Sequence, residues 1–218
     1  MIAESFRWSK PRPLRDSLSR SFLRSRLLAK VCDDLPLMAL TATVYHLPVA
    51  LSDVDRGVYE TLDLRLARHP SETMRYLLLR LLAYCLLYEE GIAFSKGGLS
   101  STDEAPISIR DRTGLLRAFV DIGFPSADRL HKAAKAAPRV ILFSAVEAHL
   151  LQKEARERTI HRVEEIEVWR IEPTFLDALE PLVNRHTKID LLRSDGVLYA
   201  TVDGKTLETP LSRISLGA

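Results

Sequence analysis

The chain has 218 residues, 46% of them hydrophobic and 28% charged, with a formal net charge of +2. That composition suits one globular domain with a sizeable core and does not demand two. The longest apolar stretch, Tyr76 to Tyr88, is interrupted by Arg80 and is too short to cross a bilayer. Cys32 and Cys85 make no disulfide framework. With no secretory apolar stretch after Met1, the expected setting is a reducing one, the cytoplasm.

Charge is uneven along the chain. Residues 1–37 carry eight Lys or Arg against four Asp or Glu, which leaves the remainder near −2. A weakly acidic body does not attract nucleic acid through bulk electrostatics, so any such contact needs a local basic surface. The lead segment is rich in Ser and Arg and carries Pro11 and Pro13, a composition that argues against a packed domain. Three readings stand for it: a flexible basic arm, a targeting peptide, or sequence upstream of a true start at Met38. A short amphipathic helix over Leu18 to Val31 is compatible with any of them.

From Leu40 the apolar period becomes two. "TATVYHLPVALSD" and "YETLDLRLARHP" predict an antiparallel pair, with Leu62, Leu64 and Leu66 on one face. Pro70 and Ser71 announce a helix running to about Tyr88, with Glu72 in its first turn. Its apolar residues surround the cylinder, so it is expected to be covered on most sides. Strands follow near Ile92–Ser95, Pro106–Arg110 and Leu115–Ile122. Ser126 caps a helix with Asp128 in its first turn, Pro138 stops it, and "RVILFS" at 139–144 reads as a buried parallel strand. The 115–144 segment is therefore a crossover unit. A helix over Ala145–Arg156, the strand "VEEIEVWRIE", the helix "PTFLDALEPLV" and a tail with turns at Asp195–Gly196 and Asp203–Gly204 complete the series. The expected fold is α/β, a central mixed sheet flanked by helices.

Asp103 and Asp121 fall close to the ends of two strands that would be neighbours. Two carboxylates at one sheet edge can bind a hard divalent cation such as Mg2+, which lowers the pKa of an attacking water and neutralises a phosphoryl oxygen. The alternative for Asp103, with Glu104, is a wetted turn; Asp121 can face a cleft or solvent. Glu72 is explained by the helix N-terminus alone, or it approaches the same cleft. Lys132, with Lys135 and Arg129 as neighbours, is either a solvated side chain or a cation offsetting phosphate charge. The histidines do not cluster with metalloprotease spacing, and there is no nucleophile elbow and no dinucleotide fingerprint. Lys96 in "SKGG" lacks the rest of a phosphate loop and reads as a turn.

The blocks "LARHPSETMRYLLLRLLAY" (66–84), "FSKGGLSSTDEAP" and "FVDIGFPSADRLHKA" closely resemble the bacterial YaeQ family, from Met38 to nearly the C-terminus. The resemblance implies a variant of the restriction-endonuclease-like fold of the PD-(D/E)xK nucleases, over residues 38–218. On that pattern Asp103 matches the first acid and Asp121 the second, while Gly123 stands where a lysine is expected. Glu72 matches the additional helix acid, and Lys132 is the best placed replacement cation. The implied activity is a Mg2+-dependent nuclease or phosphodiesterase, with Mn2+ as a substitute ion. The other implied reading is a non-catalytic protein that binds nucleic acid or the transcription machinery through a basic rim of Arg68, Arg75, Lys96, Arg110, Arg112, Arg129 and Lys132. No membrane association is expected.

Overall fold

The structure, a computed structural model, describes residues 42–95 and 104–217. Residues 1–37, Lys96 and Asp103 lie outside the described residues, and with them the expectations attached to each.

β1 (Thr43–Asp53) and β2 (Val58–Arg68) pair antiparallel along their whole length, with Leu47 opposite Leu64. Their inward residues, among them Leu47, Val49, Leu51, Leu62, Leu64 and Leu66, are buried as the alternation predicts. β1 also pairs parallel with β8 (Ile189–Ser194), which continues antiparallel into β9 (Val197–Val202) and β10 (Lys205–Pro210). The turns between these last strands place Asp195–Gly196 and Asp203–Gly204 at positive φ. Two positive φ angles in a two-residue loop match the right-handed strand twist, which is why Asp-Gly recurs there. The result is a five-stranded mixed sheet in the order β10-β9-β8-β1-β2.

A second mixed sheet has six strands, ordered β11-β7-β6-β5-β4-β3. β3 (Ile92–Phe94), β4 (Ile107–Arg110) and β5 (Leu116–Ile122) form an antiparallel meander. β5, β6 (Arg139–Ser144) and β7 (Glu167–Arg170) run parallel, and β11 (Ser212–Ile214) closes the edge antiparallel to β7. α2 (Ala127–Ala136) makes the crossover from β5 to β6, and α3 (Ala148–Arg156) follows β6.

Between the sheets lies α1 (Met74–Leu86). Leu77, Leu78, Leu81, Leu82, Ala83 and Cys85 have no exposed surface. One apolar core joins the inner face of the first sheet, α1, α4 (Pro173–Leu179) and one face of the second sheet; a separate core fills the other face of the second sheet against α2 and α3. A helix apolar all round needs a layer on each side, and this is why two sheets replace the single expected one. Three boundaries also differ. α1 starts at Met74 behind the Thr73 cap, so Glu72 precedes the helix rather than sitting in its first turn. Residues 163–165 form a 3-10 turn and not the start of a strand. α3 begins at Ala148, not Ala145.

No helix among the described residues is long and apolar enough to cross a membrane. Because α1 is enclosed on both sides, Leu81→Ala should lower unfolding free energy by about 2–5 kcal/mol, measured by denaturant titration.

Candidate functional site

The turn joining β2 to α1 sets the first half of the site. Thr73 Oγ1 accepts the Tyr76 N–H at 3.2 Å, starting the helix and leaving Glu72 just outside it. The Glu72 carboxylate is 3% exposed. Its Oε2 accepts the His69 N–H at 3.0 Å, while Oε1 lies 3.5 Å from Arg80 Nη2. Among the described residues Oε1 is buried without a hydrogen-bond partner. Arg80, buried within the apolar helix, donates from Nη2 to the Ala67 carbonyl at 2.7 Å, and Arg68 Nε donates to the Glu72 carbonyl at 2.9 Å. Burial pushes the Glu72 carboxyl above its ordinary range, outweighing the Arg80 charge that pulls it down.

β5 and α2 supply the second half. Ala118, Val120 and Ile122 of β5 face α1, so Phe119 and Asp121 face α2. Asp121 is 2% exposed. Its Oδ2 accepts from Arg129 Nε at 2.5 Å, and its Oδ1 accepts the Ile122 N–H at 3.0 Å. Ser126 caps α2 by accepting the Arg129 N–H at 3.3 Å, which sets Arg129 in the first turn over the strand end. Arg129 Nη2 also donates to the Glu104 carbonyl at 3.1 Å, and its guanidinium lies 5.7 Å from the Phe119 ring centre.

Tyr76 joins the two halves. Its phenol is pushed up to about 12, first by burial, then by the negative charge of Asp121 and, more weakly, of Glu72; Arg80 and Arg129 pull the other way. The Tyr76 ring packs beside Gly123, two residues past Asp121, which places the start of α1 next to the end of β5. Lys132 lies on the exposed side of α2, and the side chain paired with Asp121 is Arg129. No group of three His, Cys, Asp or Glu arranged for a metal ion occurs among the described residues.

Gly123 has a structural reason. It leaves β5 at φ +89°, and a Cβ there would meet the Tyr76 ring at 3.7 Å. The space is ordinary; the left-handed backbone is what disfavours a lysine, by about 1–2 kcal/mol. Cys85 is not a nucleophile: complete burial pushes its thiol far up. Tyr76 and Arg80 were not foreseen as site residues. The signal was present, since 72, 76 and 80 repeat at four-residue spacing and Arg80 is the one charge inside the leucine run.

The YaeQ protein family model matches residues 38–211, and the chain belongs to that family. YaeQ of Escherichia coli K12 is 29% identical over 177 residues, covering 80% of this chain and 97% of that protein. YaeQ of Salmonella typhi is 30% identical over 176 residues, covering 80% and 97%. The crystal structure of YaeQ from Xanthomonas axonopodis pv. citri superposes with a TM-score of 0.72 at 29% identity, over 80% of this chain and 99% of that one. YaeQ from Pseudomonas syringae gives 0.72 at 28% identity, over 80% and 96%.

Two outcomes test this electrostatic picture. Asp121→Asn leaves Arg129 without its counter-charge and should destabilise by about 3 kcal/mol, whereas Asp121→Asn with Arg129→Met should recover most of that loss in denaturant titrations. The raised Glu72 pKa means its contribution to folding is fully present below the ordinary carboxyl pKa and is lost as pH rises through the folded value. Glu72→Gln should therefore melt above the wild type near pH 8, with the gap closing by about pH 4.

Proposed function

We propose that the acidic end of β5 is the site of a Mg2+-dependent nuclease or phosphodiesterase of the PD-(D/E)xK type, acting on nucleic acid on a restriction-endonuclease-like scaffold. The observation that carries this reading is Glu72 Oε1, a carboxylate oxygen buried without a hydrogen bond among the described residues. A buried acceptor left unmade is destabilising unless something completes it, and a hard cation takes such oxygens. On the family pattern Glu72, Asp103 and Asp121 would be its ligands, and Arg129 holds the Glu104 carbonyl as well as the Asp121 carboxylate. Mg2+, or Mn2+ in its stead, would supply Lewis acidity and a more acidic bound water.

The chain's own residues have distinct tasks. Arg129 holds the Asp121 carboxylate and neutralises it within the buried strand end. Lys132, one turn further along α2, is the cation assigned to the phosphate, because the backbone at Gly123 disfavours one on the strand. Tyr76 stays protonated across the neutral range.

A second reading has its own support. Both acids already face arginines, Glu72 with Arg80 and Asp121 with Arg129, as in a scaffold that binds nucleic acid or transcription machinery without cleaving it. Glu72→Gln separates the two, since it is expected to stay folded. With single- and double-stranded DNA and RNA and either metal ion, the nuclease reading expects wild-type cleavage that Glu72→Gln abolishes and Lys132→Ala slows about a hundredfold. A wild type inert on all four substrates, or a fully active Glu72→Gln, rules it out; salt-sensitive binding that survives Glu72→Gln then favours the second reading.

A further inference from the structure

A different site forms where α1 ends. Past Leu86 the layer between the sheets is no longer filled by helix, and a cleft of about 510 Å3 opens there. Leu86 and Leu87 form its apolar side, and four arginines line it: Arg56, Arg139, Arg193 and Arg213. Arg56 and Arg193 come from the first sheet, in the β1–β2 turn and on β8. Arg139 and Arg213 come from the second, on β6 and β11. Both sets meet at Trp169 of β7, with the Arg213 and Arg193 guanidinium carbons 4.5 and 5.5 Å from its ring centre.

These guanidiniums are held in place by hydrogen bonds. Glu167 accepts from Arg139 Nε and Arg213 Nη2, each at 2.5 Å. Arg193 donates to Asp55 at 3.0 Å and to the fully buried Asp53 at 3.4 Å. Arg56 donates to the Leu86 and Tyr88 carbonyls at 2.5 and 2.7 Å. Three carboxylates, Asp53, Asp55 and Glu167, thus orient Arg193, Arg139 and Arg213, while two backbone carbonyls orient Arg56. Glu89 is the acid at the rim. Arginine forks fixed in place form a preorganised receptor for a multivalent oxyanion. Trp169 already carries guanidiniums, so it braces the arginines instead of offering a face to a base.

We propose that this cleft binds a small ligand carrying linked phosphoryl groups, one contacted by each arginine pair. The volume is that of a small-molecule site, not of a duplex groove. Inorganic pyrophosphate and a nucleoside diphosphate share the chemistry. The inference is independent of the acidic site, which lies at the other end of α1, about 20 Å away for a helix of this length.

Calorimetric titration of the full chain with pyrophosphate and with ADP at low salt tests it. Saturable binding at one ligand per chain is expected. It should weaken at least about tenfold when Arg139→Ala and Arg213→Ala are combined, strengthen in Glu89→Gln and be unchanged in Glu72→Gln. ADP binding more tightly than pyrophosphate identifies the source as a nucleotide, and equal affinities identify a bare polyphosphate. Both arginines are substantially exposed, at 42% and 59% of the side chain, so the double variant should fold. Should it not, the Glu89→Gln comparison decides alone. Absence of saturable binding for both ligands, wild-type affinity in the folded double variant, or no gain in Glu89→Gln overturns the proposal.

Discussion

The molecule is organised around the burial of α1 on both sides. A helix whose leucines surround the cylinder cannot rest on one sheet with its other side in water, because each leucine left exposed forfeits roughly 2 kcal/mol of transfer free energy. The chain answers by supplying a sheet from each end of the sequence order: β1 and β2 precede the helix, and β8 to β10 arrive late to complete the same layer. The second sheet, built from the middle of the chain with the last strand β11 added at its edge, covers the opposite side. The parallel pairing of β1 with β8 joins residues about as far apart as the described fold allows, Val49 with Ile189.

Both candidate sites follow from that sandwich, because a helix has two ends and an enclosed helix presents polar backbone and side chains only there. Toward the N-terminal end, Glu72 and Arg80 are buried at the boundary of the core, and the Tyr76 ring packs beside Gly123 at the end of β5. At the C-terminal end the helix gives way to open space between the layers, which arginines from both sheets occupy. Low local dielectric strengthens interactions at each end and makes an unmatched group there costly. The buried acids are consequently either held by arginine, as Asp53 and Asp121 are, or shifted toward the neutral form, as Glu72 is.

The Asp121–Arg129 pair shows how local and global constraints meet. Ser126 caps α2 through its own side chain, a local feature, and thereby fixes the turn on which Arg129 stands. Whether that arginine finds a carboxylate depends on β5 presenting Asp121 to α2 and not to α1. The alternation of Val120 and Ile122 toward the larger core decides it. Gly123 then lets the chain turn away at positive φ, and the same backbone geometry that ends the strand removes the position where a strand lysine would stand.

Elements and their order were legible along the chain: period two in the paired strands, the apolar run of α1, the capped crossover helix and the Asp-Gly turns are all local signals, each carried by fewer than about twenty residues. Membership of the YaeQ family was legible for the same reason, since it rests on ordered blocks of neighbouring residues, and the match over 38–211 agrees. The acids Glu72 and Asp121 could be named from type and spacing. What the tertiary structure alone decided was pairing at a distance: that the strands divide into two sheets, that Asp121 takes Arg129, that Glu72 faces Arg80 from outside the helix, and that four arginines spread from residue 56 to 213 line one cleft. Local propensity acts over a few residues, whereas these contacts are set by how α1 is enclosed, and enclosure is a property of the whole packed chain.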